Sequence, residues 1–480
     1  MKKLRIAVVG GGIGGLTAAL TLQDKGHTVV VFEKESRPGG KCWSPTFEGQ
    51  AFEMGACSVS PEFHTVLKLA RRYKQRLRRR FPFWVMGPDG SRTTFRQEYW
   101  KVADTPAILL EMGRYLYHAA NFGLRYNRPS GYLNLPREYE ASFRQFCREH
   151  KMEHIAPWME LPVTSFGYGD LDTIKTWYVL DYVNVVNFMG LALQLILMGQ
   201  SPVHQFLEGY GALVTAMARD LDVRLGSAVR KIDRGRAGVT ITTDAIGVEP
   251  ERFDAVVLAV PLQELKDCLE LNAEEKLLVG DLKSNTYAIA ACVLNRMPLG
   301  NHLLRFNACQ QNFGHVALIE RGMHGDASKL CVCYIPVIDR NFRLDKVLAW
   351  LEKDLAKLGL DLERVVESRE WTYFSHFLHR WSYTILEDLQ GQDGTYYVGG
   401  MAKFELAERV ARDAEALADQ QFEGKRPREW FTTLRNWAYF YLRSEGAYAN
   451  PPSTALGAGP STASGARPAA VRAARTQKSR

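Results

Sequence analysis

The start of the chain is mostly apolar and contains one glycine-rich break. The apolar run LRIAVVG (4–10) suits a buried strand, LTAALTLQDKG (16–26) suits a helix that ends in glycine, and HTVVVFEKE (27–35) suits a second strand. Strands that are apolar at successive positions are typical of a parallel sheet covered on both faces. The pattern therefore predicts a strand–helix–strand unit of an α/β fold.

The next region has a different pattern, with aromatic and basic residues interleaved over residues 61–200, and we expect it to be mostly helical. Within it, RRYKQRLRRR (71–80) holds seven cations, most of which we expect on a solvated helix face. The apolar run 178–199 is long enough to span a membrane. It carries Asp181 and two asparagines, so we interpret it as one buried or tunnel-lining helix.

Residues 205–422 alternate between helix and strand patterns, with period-two alternation in the middle. In chain order the predicted elements are a helix (209–221), a β-pair (223–234 with 237–244), a buried strand that ends at a proline (252–261), an antiparallel sheet (285–337), an amphipathic helix (346–359), a strand that runs into glycines (394–400) and a helix (406–422).

The glycine-rich break, GGGIGG (10–15), is the clearest chemical signal. It contains G-x-G-x-x-G at Gly10, Gly12 and Gly15, between a predicted strand and a predicted helix. In that context the glycines provide a tight turn, close approach to a pyrophosphate, and close helix–strand packing, and the phosphates lie at the helix N-terminus. Glu33 ends the second strand, where a carboxylate binds a ribose diol and repels a 2′-phosphate. The motif predicts a ligand that contains an ADP moiety and lacks the 2′-phosphate of NADP.

A second glycine pair follows in RPGGKCWSPTFEGQAFEMGA (37–56). This stretch, with SFGYGDLD (165–172), YVLDY (178–182), WTYFSH (371–376) and YYVGG (396–400), resembles the flavin-containing amine oxidase superfamily, which includes phytoene desaturases and protoporphyrinogen oxidases. Within it the motifs are most similar to the FAD-dependent polyenoic fatty acid isomerases, over about residues 1–424.

The resemblance implies an α/β (α+β overall) fold with a Rossmann-like FAD-binding domain assembled from separate segments, an antiparallel-sheet substrate domain and a helical cap. The segments it implies are FAD-binding 1–60, 205–265 and 391–424, helical cap 61–204, substrate-binding sheet 266–390, a C-terminal extension 425–445, and a disordered basic tail 446–480.

The resemblance also implies the residues that contact the cofactor. FAD extends beyond the first strand–helix–strand unit, so a glycine pair lets the main chain pass close to it, and Lys41 stands where arginine is usual. The implied cofactor contacts are Gly10, Gly12, Ile13, Gly14, Gly15, Glu33, Lys34, Gly39, Gly40, Lys41, Cys42, Val229, Gly399, Gly400 and Met401.

For the reaction, the resemblance implies an isomerase without a catalytic side chain or a metal. Oxidised flavin N5 takes a hydride from a bis-allylic carbon and returns it to the far end of the pentadienyl system, which yields a conjugated diene. The implied substrate contacts are Arg79, in an L-R-R-x-F match, for the carboxylate, Phe188 and Leu191 at the tunnel mouth, and Trp371, Tyr373 and Phe374 near the flavin.

Two positions depart from the isomerase pattern. Leu191 aligns with a gating phenylalanine, and Gly400 stands where an acidic residue usually binds FAD. We expect the second change to remove one hydrogen bond to the cofactor, worth ~1–2 kcal/mol.

Charge and cysteine content affect the interpretation less. The net charge is +8, of which +5 lies in residues 446–480. The eight cysteines form no metal-binding spacing and several lie in apolar runs, which favours reduced core cysteines in the cytoplasm.

We expect a free fatty acid as substrate, no nucleic-acid partner and no integral membrane span, with peripheral membrane contact left open. A signal peptide is disfavoured because glycines interrupt the apolar N-terminal run.

Two other functions are compatible with the residues alone. A net oxidase or desaturase that acts on an amine or a lipid shares the same fold. A non-catalytic nucleotide or nucleic-acid binder would use RRYKQRLRRR and the basic tail, although no aromatic RNA-binding signature accompanies those charges.

Overall fold

The structure is a computed structural model that describes residues 2–422 and 444–445. The gaps within that range are 82, 88–90, 95–96, 98–105, 129–130, 194–202, 236–237, 297, 299, 308–309, 323–328 and 338–343. The predicted tail and nearly all of the predicted extension 425–445 lie outside the described residues.

The first half of the chain begins with a strand–helix–strand unit and continues into a region of mainly helices. Its elements are β1 (Arg5–Val9), α1 (Ile13–Asp24), β2 (Thr28–Phe32), β3 (Thr46–Phe47), β4 (Gln50–Ala51), α2 (His64–Arg72), β5 (Leu77–Arg79), β6 (Phe83–Met86), β7 (Arg92–Thr94), α3 (Pro106–Arg125), β8 (Asn127–Arg128), β9 (Gly131–Tyr132), α4 (Phe143–Glu149), α5 (Ala156–Thr164), α6 (Thr176–Tyr182) and α7 (Val185–Leu193).

The second half is richer in strands. Its elements are β10 (His204–Phe206), α8 (Gly209–Arg219), β11 (Asp222–Arg224), β12 (Val229–Gly235), β13 (Gly238–Thr243), β14 (Glu251–Phe253), β15 (Ala255–Leu258), α9 (Ala273–Asp281), β16 (Leu282–Leu294), β17 (Asn301–Leu304), β18 (Leu318–Arg321), β19 (Leu330–Val337), α10 (Leu344–Lys357), β20 (Leu362–Phe377), α11 (Trp381–Leu389), β21 (Thr395–Tyr397), α12 (Ala407–Phe422) and β22 (Ser444–Glu445).

A parallel sheet gathers strands from three distant parts of the chain, in the order β11-β2-β1-β15-β21. Alternate residues of β1 and β15 pack with apolar residues of α1 and α12 on one face, while their neighbours face a second core. Both faces are covered, which explains the uninterrupted apolar runs. The predicted Rossmann-like domain of discontinuous segments is confirmed, and the carboxyl ends of its strands meet at one edge.

The second large sheet has the order β20-β16-β19-β18-β17-β6-β7. Its neighbours are antiparallel as predicted, except that β6 pairs with β17 in parallel. One face packs on α10. The other face carries Tyr287, Trp371 and Tyr334 toward Phe52 and Met54 of the N-terminal segment.

The prediction of one helix over residues 178–199 is wrong, because the described part of this run contains two helices. The first ends at Tyr182, and Asn184 begins the second by accepting a hydrogen bond from the Asn187 N–H (3.0 Å). A side-chain cap of this kind favours a new helix start. Asp181 is fully buried, and one of its oxygens lies 3.1 Å from Arg409 Nε. Among the described helices none is long and apolar enough to cross a membrane.

The prediction of a solvated helix face over residues 71–80 is also wrong. Helix α2 ends at Arg72, and residues 77–79 form β5, which pairs with β10. Arg78 and Arg80 are buried, and Arg80 Nε donates to Glu320 Oε1 (2.9 Å). Seven cations within ten residues are typical of an exposed surface. The sequence gives no sign of burial, because the carboxylate that pairs with Arg80 lies 240 residues further along the chain.

A smaller correction concerns residues 223–234, predicted as one strand of a β-pair. The first residues belong to β11 in the parallel sheet, and only β12 pairs with β13. The described part of the chain contains seven cysteines, all free thiols, and all but Cys268 are buried.

Candidate functional site

The turn between β1 and α1 has the geometry that its glycines require. Gly10 has φ +104°, a region that favours glycine. A Cβ on Gly15 would lie 2.0 Å from the Gly10 carbonyl oxygen, whereas a Cβ on Gly12 would meet nothing within 4 Å. Gly15 is therefore needed for packing inside the protein, and Gly12 faces open space at the N-terminus of α1.

The side chains of this turn are otherwise buried in the fold. Ile13 begins α1 in the core beside α2 and α8, and a Cβ on Gly14 would lie 2.8 Å from Val410 of α12. The N-terminal segment and the last segment are thus in direct contact at the start of α1. The free N–H groups of a helix N-terminus at such a point bind a phosphate well.

Glu33 lies at the carboxyl end of β2, next to the glycine turn. Its side chain is buried; Oε2 accepts from the Gly11 N–H (2.7 Å) and Oε1 accepts from the Glu35 N–H (2.8 Å). A carboxylate oxygen can accept more than one hydrogen bond, so each Glu33 oxygen can still accept one from a ribose hydroxyl group. The two backbone bonds fix the carboxylate beside the glycine turn, and its contact with a ribose stays a prediction.

The second glycine pair lies against the first. The Gly39 N–H donates to the Gly11 carbonyl (2.7 Å), and a Cβ on Gly40 would lie 3.4 Å from the Gly12 Cα. Both glycines have positive φ, and a Cβ on Gly39 would lie 2.5 Å from a Val214 methyl. The opening stretch of this loop therefore requires glycine for close backbone contact.

Lys41 and Cys42 follow this pair and differ in their environments. The Lys41 side chain is one-third exposed and its ammonium pairs with Glu405. Cys42 is buried, and burial raises the pKa of its thiol far above the ordinary value. Cys42 can therefore contact a cofactor only as a neutral group.

The third glycine pair comes from the last segment, directly after β21. Gly399 has φ +114°, and its Cα lies 3.9 Å from the position of a Cβ on Gly14. Burial raises the pKa of the Asp413 carboxyl, and the nearby Gly399 N–H lowers it. Met401 is 1% exposed, so only its backbone can face a ligand. All three predicted glycine pairs therefore meet around the N-terminus of α1.

Val229 and Lys34 are two further residues predicted to contact the cofactor. Val229 begins β12 just after Ser227, whose N–H donates to the Glu33 carbonyl (2.9 Å). Lys34 is two-thirds exposed, with its ammonium 3.8 Å from Glu264. Contact of either residue with the cofactor stays a prediction.

Aromatic side chains of β20 border the third glycine pair. Phe374 is fully buried 5.2 Å from the Phe404 ring, and Tyr373 stacks on Tyr287 at 5.3 Å. Trp371 instead donates its indole N–H to the Met54 carbonyl (2.7 Å) and packs in the sheet core. The structure thus brings Phe374 against Phe404, four residues after the third glycine pair, and commits the polar end of Trp371 to the N-terminal segment.

The predicted tunnel residues are not brought together by any described contact. Arg79 is half-buried on β5, opposite His204 of β10. Phe188 is buried with its ring 4.8 Å from Tyr115. Leu191 lies on α7, and its side chain is outside the described residues.

Several ionisable groups near the glycine pairs are buried. Burial raises the pKa of Asp413 to about 7, against the opposing effect of Lys403, and burial lowers the pKa of Lys403 to about 8. Burial raises the pKa of Glu408 to about 7, although the Thr65 and Val66 N–H groups donate to its carboxylate. Burial lowers the pKa of His376 to about 4, so this imidazole is neutral near pH 7.

Sequence reasoning missed two residues of this centre, Arg37 and Glu405, whereas the resemblance places Glu53 in a return strand near the flavin. Arg37 donates to the Gly40 carbonyl (3.0 Å), Glu53 accepts from the Tyr210 N–H at the start of α8 (2.9 Å), and Glu405 pairs with Lys41. Arg37 stands two residues before the glycine pair, and this closeness in sequence could have indicated its contact with the loop. Glu405 had no signal, since its partners lie in two other segments.

Comparison with known proteins identifies the family of this chain. The family model described as flavin containing amine oxidoreductase matches residues 13–285, more than half of the chain. The chain belongs to this family. The family description names a flavin, which supports FAD as the cofactor of this chain.

Curated relatives include a putative flavin-containing monoamine oxidase of Mycobacterium tuberculosis, 27% identical over 265 residues, which are 53% of this chain and 56% of that protein. The chain therefore spans about half the length of the first curated relatives that it matches. Among solved structures, a CLA-producing fatty acid isomerase from P. acnes has a TM-score of 0.79 at 21% identity over 88% of this chain and 99% of that one. A triple mutant of putrescine oxidase has a TM-score of 0.66 at 17% identity, again over 88% and 99%.

The described residues fit FAD. The open space over Gly12, the buried Glu33 carboxylate with free acceptor capacity, and three glycine pairs at one helix N-terminus suit a ligand with an adenosine, a pyrophosphate and a long polar chain. When bound, FAD supplies a hydride acceptor and donor.

Proposed function

We propose that this protein isomerises the double bonds of a free polyunsaturated fatty acid without net oxidation. The observation that carries the proposal is the similarity of fold to the fatty acid isomerase, which extends over nearly the full length of that chain and exceeds the similarity to putrescine oxidase. The motif series of the sequence supports the same assignment.

The aromatic wall near the third glycine pair suits an uncharged chain. Tyr168 lies 4.5 Å from Phe404, and Tyr182 stacks on Phe404 at 5.2 Å. Burial raises the pKa of the Tyr168, Tyr287 and Tyr373 phenols well above the ordinary value, so these side chains are neutral near pH 7. A neutral, largely apolar wall binds hydrocarbon and excludes water from the reacting carbons.

The imidazole beside the wall, that of His376, is not placed to act as a base. His376 stacks on Phe374 at 4.4 Å, and its Nδ1 lies 2.6 Å from the Phe374 carbonyl. That nitrogen is suited to donate to the carbonyl, and the ring is sealed in the sheet rather than presented to a ligand. His376 is therefore not available for proton abstraction from a substrate.

Arg79 is our candidate for the substrate carboxylate. Of the three arginines in succession on and after β5, Arg80 is committed to Glu320 and Arg78 is buried, while Arg79 is half-buried. A guanidinium pairs with a carboxylate in a bidentate fork. Its distance from the flavin end would set which carbon of the chain reacts.

The test compares free acid with methyl ester under anaerobic conditions. Arg79→Ala should raise KM for a free polyunsaturated acid about 10- to 100-fold, the value of a charge-assisted pair, and should leave the methyl ester unaffected. Diene absorbance measures turnover and gas chromatography measures regiochemistry, which we expect to broaden as the chain slides.

Arg76→Ala is the control, since Arg76 lies on the same segment and pairs at the surface with Glu208. It should behave as wild type with both substrates. Equal use of acid and ester by wild type, or unchanged acid kinetics in Arg79→Ala, would remove the carboxylate anchor from this account.

A second function, oxidation of an amine, is favoured by the monoamine and putrescine oxidases among the similar proteins. It predicts hydrogen peroxide with a diamine or monoamine as substrate and no conjugated diene from fatty acids.

A further inference from the structure

The side chain of Glu405, five residues further along the chain, fills the space beside Gly400. A Cβ built on Gly400 would lie 2.9 Å from the Glu405 Cγ and 3.0 Å from its Oε2. The φ of Gly400 is in the ordinary range, so its backbone does not require glycine. What excludes a side chain at position 400 is the Glu405 side chain itself.

Two groups from other segments hold the Glu405 carboxylate. Oε1 pairs with the Lys41 ammonium, and Oε2 accepts from the Ser375 N–H at 2.9 Å. The Glu405 side chain is 11% exposed and that of Lys41 is 33% exposed. The pair therefore borders open space instead of being sealed in the core.

The backbone that supplies the Ser375 N–H is strained. Phe374 has φ +47°, uncommon for an aromatic residue, at an irregularity in the β16–β20 pairing between Lys283 and Asn285. Such strain persists where the surrounding structure requires it, and it clusters at ligand sites. Here the bulge leaves the Ser375 N–H free of the ladder and directed at Glu405.

We propose that Glu405 is a cofactor-positioning residue, whose carboxylate accepts hydrogen bonds from hydroxyl groups of the FAD ribityl chain. A carboxylate has several acceptor sites, of which Lys41 and Ser375 occupy some, and hydroxyl groups are the donors on that part of FAD. Lys41 offsets the negative charge of Glu405, which would otherwise repel the pyrophosphate. Glu405 thus substitutes for the acidic side chain that Gly400 lacks.

A double-variant cycle tests this assignment by FAD affinity, measured by fluorescence quenching on apoprotein, and so independently of any substrate. Glu405→Ala should weaken FAD binding about 10- to 100-fold, the value of a hydrogen bond to a charged group. Gly400→Asp should also weaken binding, because the new side chain collides with Glu405. Gly400→Asp/Glu405→Ala should bind FAD within a few-fold of wild type, because the vacated space accepts the new carboxylate.

Glu415→Ala is the matched control, since Glu415 lies in the same segment and pairs with Lys68 near the surface; it should bind FAD as wild type does. Thermal unfolding of each apoprotein separates lost binding from lost folding. The proposal is overturned if folded Glu405→Ala binds FAD within twofold of wild type, or if the folded double variant binds no better than Glu405→Ala.

Discussion

Gly15→Ala is expected to destabilise the protein severely, whereas Gly12→Ala is expected to leave it folded but unable to hold FAD. The added methyl at position 15 would lie 2.0 Å from the Gly10 carbonyl oxygen and 3.2 Å from the Ala259 Cβ. Backbone must move to relieve that contact, so we expect a loss above the ~1–3 kcal/mol of ordinary overpacking.

The methyl at position 12 would meet nothing within 4 Å, and Gly12 has φ −69°, which alanine adopts readily. It would occupy the space through which the pyrophosphate approaches the helix N-terminus. Apoprotein unfolding and FAD titration measure the two effects separately. A stable Gly15→Ala, or a Gly12→Ala that binds FAD like wild type, would contradict the assigned roles of these glycines.

Arg80→Met is expected to cost about 3–5 kcal/mol of unfolding free energy, because it leaves the Glu320 carboxylate buried without its cation. Arg80 and Glu320 are 5% and 3% exposed, and Gln205 and Tyr334 also donate to Glu320. Those two donors do not replace a full positive charge. Chemical denaturation of the apoprotein measures the loss.

Arg80→Met/Glu320→Leu should recover at least half of that loss, since a hydrophobic replacement of both partners avoids an unpaired buried charge. Arg72→Ala, which removes a surface ion pair with Asp24, should cost under about 1 kcal/mol and serves as the control. Equal losses in the single and double variants would show that packing, rather than charge, sets the cost.

Local chemistry made much of the FAD domain predictable. The apolar runs before Gly10 and after Gly26 favoured strands buried on both faces, and the glycine spacing favoured a helix directly after the turn, predicted over 16–26 and observed over Ile13–Asp24. These features depend on neighbours within a few residues. For that reason β1, α1, β2 and the later helices at 209 and 406 were predicted nearly to their ends.

Long-range partners made the rest unpredictable. The Arg80 side chain resembles a surface cation until Glu320 is brought beside it, and Glu405 has no local motif because Lys41 and Ser375 come from other segments. The break at Asn184 depends on a side-chain cap within an apolar run that favoured one continuous helix. The contacts of Arg80 and Glu405 form only in the folded chain, whereas the break at Asn184 is a local cap that the apolar pattern outweighed.

The balance between diene formed and oxygen consumed tests the redox-neutral proposal most directly. Purified holoprotein is incubated with a free polyunsaturated fatty acid, while diene absorbance, dissolved oxygen and hydrogen peroxide are recorded together. Isomerisation predicts many turnovers of diene per protein, at the same rate with and without oxygen, and no peroxide. Peroxide formed in step with product, and turnover that stops after one equivalent when oxygen is removed, would contradict the account and indicate an oxidase.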